Sequence, residues 1–501
     1  MEDIPISDLE KISNELRKRV FKTTKKAKSG HIGGCSSSVE LMTALYFGGI
    51  LKYNPENPKD KNRDRVLVRG HLGPLRYNIF SMLEWIDEKE LDNYRQLNSR
   101  LEGHEDMAKV PGVDITPSGS LGMVLSYGAG AAVSAIKNNQ DFLTYVFLGD
   151  GEEQEGNVSE AARHIASLGL NNIIAIIDKN KKQLSRPTQD SDGASDINTI
   201  WKGYGWDVKE IQDAHNLEKI LEAYNWANEK GKKPKLIIAN TEKGKGIPGN
   251  LEHYSGYHTV NTAKQEDLDS AILNYEEVTK AVDISSILSK LRKSVPLPKS
   301  VKSLDDLEIL NSPLDLKMNK KEYAHLLEGL VDYFQQLNKD FSTRPENLYV
   351  LTADIIRKEL TPVLGLDTPS TTFIDTGIRE QHLTAMAHGI SNTDEKSKVL
   401  IDVGEEFLYR NADQLNVLSQ AKSPVVILGN MGGICGSKNG PTHQPSGQSG
   451  MLTLMPGMKC LEPSDVTDLF NSLNFAFSNT SSPTYIRMHS APMAKIEDNI
   501  S

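Results

Sequence analysis

The chain has 501 residues, enough for two or three domains with sizeable cores. Hydrophobic residues make up 38% and charged residues 25%, and 67 Asp and Glu against 57 Lys and Arg leave a net charge of −10, which excludes general nucleic-acid binding but leaves room for local basic pockets that take phosphates. Cys35, Cys435 and Cys460 show no metal-ligand spacing, the acidic N-terminus carries no apolar targeting segment, and no apolar run approaches the roughly 18 residues of a membrane span, so the reading is a cytoplasmic protein without a membrane anchor.

Residues 1–262 read as repeated α/β units. Helical periodicity covers Ser7–Lys26, with Ser7 and Glu10 at capping-box spacing, and Ser38–Phe47. The Gly-rich stretch Gly119–Ala132 predicts a turn entering a helix of small residues. Continuous apolar runs at Tyr145–Leu148, Ile173–Ile177 and Leu236–Ala239 predict parallel strands buried on both faces. The order breaks over 263–318, a Lys-, Ser- and Asp-rich stretch with two prolines near 296–298, which reads as a linker with some helix. A second α/β region spans 319–501. Its predicted helices are Tyr323–Leu337, Arg379–Gly389, Phe407–Ser419 and Asp465–Phe475. Its predicted strands are Tyr349–Thr352, Thr372–Ile374, Val399–Val403, Val425–Leu428 and Tyr485–Arg487, with a Gly-rich loop at Gly429–Gly440.

Gly149-Asp150-Gly151 follows one predicted strand, and Asp178-Lys179-Asn180 follows the next. The spacing puts a carboxylate and a side-chain amide at the carboxyl ends of two parallel strands, where open α/β sheets bind ligands. A hard cation such as Mg²⁺ takes about six oxygens and keeps diphosphate oxygens among them. Asp150, Asn180 and the carbonyl of Lys182 would leave room for two diphosphate oxygens and a water. This arrangement resembles the diphosphate anchor of thiamine-diphosphate enzymes. Four histidines sit in glycine-containing turns: Gly30-His31, Gly70-His71, Gly103-His104 and Gly440-Pro441-Thr442-His443. Such turns bring backbone close to a ligand beside a group that donates and accepts protons near neutral pH.

Seven segments in the same order make the chain similar to the transketolases. They are Lys28-Ser29-Gly30-His31-Ile32-Gly33-Gly34, Val68-Arg69-Gly70-His71, Pro111-Gly112-Val113-Asp114, Gly119-Ser120-Leu121-Gly122, Gly149–Gly156, Gly377-Ile378-Arg379-Glu380-Gln381-His382, and Gly440–Pro445. The resemblance implies an α/β fold of two thiamine-diphosphate-binding-type domains, each a largely parallel sheet flanked by helices. The first, 1–262, would bind the diphosphate, and the second, 319–501, the pyrimidine. It implies thiamine diphosphate and Mg²⁺ as cofactors, with Ca²⁺ or Mn²⁺ able to substitute, and Asp150, Asn180 and Lys182 as metal ligands. Gly151, His71 and His258 would contact the diphosphate, while Gly122 and Leu184 line the cofactor cleft and Phe407 stacks on the pyrimidine. Glu380 would bond the ring nitrogen of the aminopyrimidine, with Glu155 beside it. Asp354 resembles an acid that reaches the cofactor of the neighbouring site. His31, His71, His104 and His443 would move protons to and from substrate oxygens. A homodimer with its sites at the interface is implied as well.

Two departures from that family stand out. Transketolases usually carry a third, C-terminal domain. Here it is expected to be absent, or supplied by a separate chain. Positions that bind substrate in the family also differ: an Arg falls at Lys320, a Ser at Lys358, a His at Met431, a donor-hydroxyl Asp at Asn439 and a late Arg at Ser490, with Arg487 as a nearby substitute. The expected activity is transfer of a two-carbon ketol unit from a ketose donor to an aldehyde acceptor, with substrates other than the ordinary pentose-phosphate pair. The second reading is decarboxylating acyl transfer from a 2-oxo acid such as pyruvate to an aldehyde or carrier, and the third is a non-catalytic subunit.

Overall fold

The computed structural model describes residues 4–298, 316–318, 325–339, 347–355, 371–394, 396–433, 440–489 and 491. The chain divides into two units, Met1–Val301 and Lys302–Ser501.

In the first unit, helix α1 (Ile6–Ala27) buries Leu9, Ile12, Leu16 and Val20, a stripe at helical spacing. The capping box expected from Ser7 and Glu10 does not form. The N-cap is Pro5, with a φ of −62° that leads into the helix, and no side chain caps the first turn. Two further helices, α2 (Ile32–Ser37) and α3 (Val39–Phe47), follow. Strand β1 (Arg65–Val68) precedes α4 (Gly73–Met82), and the Gly-rich stretch leads into α5 (Val124–Lys137). Next come β2 (Thr144–Gly149), α6 (Gly156–Ser167), β3 (Ile173–Lys179), β4 (Asp207–Ile211) and β5 (Lys235–Asn240). The five strands form one parallel sheet in the order β1-β2-β3-β5-β4. Every residue of β2 is buried, as its unbroken apolar run predicts. Register pairs Gly149 with Asp178 and Asp178 with Ala239, so Asp150, Asn180 and Thr241 leave the sheet at one level.

The stretch expected as a linker holds two helices, Gln265–Thr279 and Ile284–Ser294. Leu268, Ala271, Ile272, Ile287 and Leu291 join the same core as α1, and Lys22 pairs with Glu276 and Lys25 with Asp269. Even the proline run is tied in, since Tyr53 N–H donates to the Pro296 carbonyl at 3.2 Å.

The second unit is a six-stranded parallel sheet in the order β10-β11-β9-β8-β6-β7. Its strands are β6 (Leu348–Thr352), β7 (Thr371–Asp375), β8 (Lys398–Gly404), β9 (Val425–Gly432), β10 (Lys459–Leu461) and β11 (Thr484–His489). Helices Leu326–Lys339 and Val466–Ser478 share a core in which Tyr333 packs edge-on to Phe470. The helix expected over Phe407–Ser419 is two pieces, a 3₁₀ segment Glu405–Tyr409 and an α-helix Ala412–Gln420. Helix Glu380–Thr393 starts just beyond the carboxyl end of β7.

Candidate active site

The first unit carries a cavity of about 330 Å³ at the carboxyl ends of β2, β3 and β5, reached by His31, His71, His258, Asp150, Asn180 and Lys243. Asp150 is buried in the turn after β2. Its Oδ1 accepts the Gly151 N–H at 3.0 Å, and its Oδ2 accepts the Lys181 N–H at 2.7 Å and the Thr188 hydroxyl at 3.1 Å. Oδ1 keeps a lone pair for a ligand. Burial and then the neighbouring Asp178 charge push the Asp150 carboxyl up to about 6.

Asn180 is oriented from behind. Its Nδ2 donates to Asp178 Oδ2 at 3.1 Å, which turns Oδ1 toward the Lys182 N–H at 3.3 Å. Asp178 is fully buried and also accepts Arg69 Nη2 at 2.5 Å, Ser37 Oγ at 2.7 Å, Ser38 Oγ at 3.1 Å and the Thr241 hydroxyl. Burial pushes the Asp178 carboxyl up, but Arg69 and the hydroxyls outweigh it and hold the group below its ordinary range. A carboxylate, an amide oxygen and the Lys182 carbonyl form an all-oxygen set that fits a hard cation.

Four imidazoles stand together beside this set. The His31 and His71 ring centroids are 4.4 Å apart, His71 and His258 5.1 Å, and His31 and His104 5.5 Å. Gly70 is required there: a Cβ at that position would lie 2.2 Å from His104 Nδ1. The Cys35 thiol donates to the His71 carbonyl at 3.3 Å and fixes that turn. Burial, then the other imidazoles and nearby cations, push His31 down to about 3 and His71 down to about 2. Burial, then Lys243 and Arg69, push His258 down to about 4. The His31, His71 and His258 rings are therefore neutral at physiological pH. Nitrogens of His31, His71 and His258 lie within 4.8 Å of one another, close enough to suggest a metal, yet the charges of Lys243, Arg69 and Arg95 make the field around them positive. Such a field suits an anion better than a second cation.

Lys243 is the residue that motif reading missed. It is buried just past β5 and donates to the Lys182 carbonyl at 2.8 Å, the Gln183 carbonyl at 3.1 Å and His258 Nδ1 at 3.1 Å. Burial pushes its ammonium down to about 8. A lysine four residues past a predicted strand, in the loop that leaves the sheet at the same end as Asp150 and Asn180, was the available signal. Glu152 was missed too. Its carboxylate accepts the Gly122 N–H at 2.9 Å and the Gly149 N–H at 3.2 Å, and so joins two of the glycine motifs. Gly151 and Leu184 line the cavity, and Leu121, next to Gly122, faces it. Glu155 is exposed at the N-cap of α6.

In the second unit Glu380 is buried at the first position of its helix and accepts Arg410 Nη1 at 3.0 Å. The Arg410 guanidinium lies 5.0 Å from the Phe407 ring centroid, and Phe407 meets the His443 ring edge-on at 5.6 Å. The break between the 3₁₀ segment and the following helix places Phe407 and Arg410 beside Glu380. Met431 and Phe407 both press on Gly404. Asp354 is exposed with a φ of +58°, its N–H donating to Asp375. The Arg487 guanidinium, a nearby substitute for the late family Arg, faces Glu405 and Glu462, each at 3.0 Å. Lys320, Lys358, Asn439 and Ser490 lie outside the described residues.

Residues 9–273 match the family described as transketolase, thiamine diphosphate binding domain, and residues 331–493 match transketolase, pyrimidine binding domain. The chain is 35% identical over 289 residues to one of the chains of the apulose-4-phosphate transketolase of Phocaeicola vulgatus, a match covering 58% of this chain and 98% of that one. It is 27% identical over 477 residues to transketolase-like protein 2 of Homo sapiens, covering 95% of this chain and 73% of that one. The fold is similar to the solved transketolase from Campylobacter jejuni, with a TM-score of 0.81 at 23% identity over 98% of this chain and 80% of that one. Among the described residues, no helix is long and apolar enough to cross a membrane.

Proposed function

The chain belongs to the transketolase family, and we propose that it transfers a two-carbon ketol unit from a ketose donor to an aldehyde acceptor, using thiamine diphosphate and Mg²⁺. One observation carries this reading. Asp150, Asn180 and Lys182, which offer a carboxylate, an amide and a carbonyl oxygen, line one cavity with Lys243 and the imidazoles of His31, His71 and His258, which supports a cation site adjoining an anion site.

When bound, thiamine diphosphate supplies a nucleophilic thiazolium carbon and a sink for the electron pair of the broken C–C bond. Asp150, Asn180 and the Lys182 carbonyl would hold the cation, which would neutralise the diphosphate charge. His71 and His258 would donate hydrogen bonds to the diphosphate oxygens, while the Lys243 ammonium, its donors held by the Lys182 and Gln183 carbonyls and His258 Nδ1, would add positive charge. Glu380 would hold a proton at the ring nitrogen of the aminopyrimidine, with Arg410 fixing the other carboxylate oxygen. Phe407 supports the pyrimidine face. His31, His104 and His443 would accept and return protons at substrate hydroxyl and carbonyl oxygens. Gly122, Leu184 and Asp354 complete the cofactor contacts, and the protein acts as a cytoplasmic homodimer.

The substrates differ from the ordinary pentose-phosphate pair. Arg487 is already held by two carboxylates, and Met431 offers only a thioether beside Phe407. The P. vulgatus relative is named for apulose 4-phosphate, which supports a ketose outside that pair. The test is product analysis by mass spectrometry with a panel of ketose donors and aldehyde acceptors, with and without Mg²⁺ and thiamine diphosphate. Cofactor-dependent C₂ transfer is expected. Carbon dioxide release from a 2-oxo acid with no ketose turnover would overturn it, and equal efficiency with xylulose 5-phosphate and ribose 5-phosphate at ordinary transketolase levels would overturn the substrate claim.

A further inference from the structure

From Thr241 to Thr259 the chain forms neither helix nor strand, yet this stretch carries both Lys243 and His258 to the cavity. The segment is a run of turns with backbone bonds of its own, such as Ile247 N–H to the Gly244 carbonyl and His253 N–H to the Gly249 carbonyl, and Gly244 N–H anchors it to the Gly33 carbonyl. The Lys182 ammonium adds three contacts from outside it. It donates to the Asn250 carbonyl at 2.9 Å, the Leu251 carbonyl at 2.6 Å and the His253 carbonyl at 2.8 Å. An ammonium has three N–H donors, and all three are spent on this one segment.

The ordering runs on to the functional end. His253 Nδ1 accepts the Ser255 N–H at 3.2 Å, and Ser255 Oγ accepts the His258 N–H at 3.3 Å. In the opposite direction Lys243 Nζ donates to the carbonyls of Lys182 and Gln183. Lys243 thus binds the backbone of Lys182 and Gln183, and Lys182 binds the backbone of the segment that runs on from Lys243. Gly256, with a φ of +57°, leaves space for both stems: a Cβ there would lie 2.8 Å from Lys243 Cβ and 3.1 Å from Lys182 Cδ.

We propose that Lys182 is a positioning residue that couples the metal site to the diphosphate-binding segment, its carbonyl serving the cation and its ammonium latching Asn250–His253 so that Lys243 and His258 meet the anion. The inference rests on the functional reading above for what the two sites hold. The latch acts through one residue, so the two halves of the site order together. A side chain without the ammonium keeps the carbonyl and the metal ligand set but lets the segment move independently.

The test uses the full chain with Lys182→Met and Lys182→Arg, followed by hydrogen–deuterium exchange of the amides from Asn250 to His258. In the protein alone, Lys182→Met is expected to speed exchange there at least tenfold, with β2 and β3 unchanged and Lys182→Arg close to wild type. Adding Mg²⁺ with inorganic diphosphate is expected to slow exchange of this segment at least fivefold in wild type and Lys182→Arg, but not in Lys182→Met. Equal exchange in Lys182→Met and wild type, faster exchange spread through β2 and β3, or an equal response to Mg²⁺ and diphosphate in both proteins would each overturn the coupling. Failure of the wild type to bind thiamine diphosphate in a parallel titration would sink the functional reading while the exchange comparison still decided the latch.

Discussion

Arg410 donates to Glu380 at 3.0 Å while its guanidinium lies over Phe407, so the buried carboxyl at the start of the helix Glu380–Thr393 is held on one oxygen and left with the other for a ligand. A proton relay needs that fixed orientation, because a carboxyl free to rotate spends most of its time aimed elsewhere.

Replacing Glu380 by Ala is therefore expected to lower turnover by roughly 10²–10⁴-fold, the usual span for a positioned acid–base group. The far-ultraviolet spectrum and Mg²⁺ binding in the first unit should survive. Near-normal turnover with saturating cofactor would refute the role assigned to this residue.

Asp150→Asn removes the charge of the metal set and keeps its shape. Binding of thiamine diphosphate in the presence of Mg²⁺ should weaken by about tenfold or more, since a carboxylate–cation contact exceeds an amide–cation contact by at least ~1.4 kcal/mol in this buried setting. Isothermal titration at fixed Mg²⁺ reads this directly, and an unchanged affinity would misplace the cation.

The Arg69–Asp178 pair is buried on both sides. Asp178→Asn leaves the guanidinium without its counter-charge and loosens the amide of Asn180. Breaking one partner of such a pair costs about 3–5 kcal/mol, which for a unit of this size corresponds to a Tm drop of roughly 10 °C. Thermal unfolding checks it, and a drop under about 2 °C would show that the hydroxyls around Asp178 are enough to hold Arg69.

Three imidazoles, at His31, His71 and His258, stay neutral in the fold down to about 3, 2 and 4 respectively. In the unfolded chain they take up protons below about 6.5. The unfolded state therefore binds more protons as pH falls through 6.5, and stability drops from there toward pH 4, by at most about 1.4 kcal/mol per pH unit per imidazole. Above pH 7 this source adds no slope. Urea unfolding at pH 7, 6 and 5 should show the decline, and His258→Asn should make it shallower. An identical slope in the variant would mean the cluster does not set it.

Much of the fold was legible in advance because its signals are local. The buried strands β2, β3, β5 and β9 contain unbroken apolar runs, and α1 carries a helical stripe. The strands that escaped notice, β1, β4 and β10, all lie at sheet edges. There β10 has only three residues and β4 is half-exposed along most of its length, so neither shows the two-face burial that makes a strand obvious. The split at Arg410 was hidden as well, since a 3₁₀ turn followed by a helix has nearly the same apolar spacing as one helix.

By itself the sequence determined the α/β class, the two sheets and the glycine, histidine and carboxylate motifs, because strand burial, turn chemistry and motif spacing are properties of short stretches of chain. Tertiary structure alone decided which charges are free. Arg487 looked like a ligand for substrate and is held by Glu405 and Glu462, whereas Lys243 looked ordinary and stands in the cavity beside His258. Lys182 likewise meets Asn250–His253 nearly seventy positions away. The partner of a long charged side chain is set by how loops from different strands converge at the carboxyl edge of a sheet, and no periodicity along the chain encodes that distance.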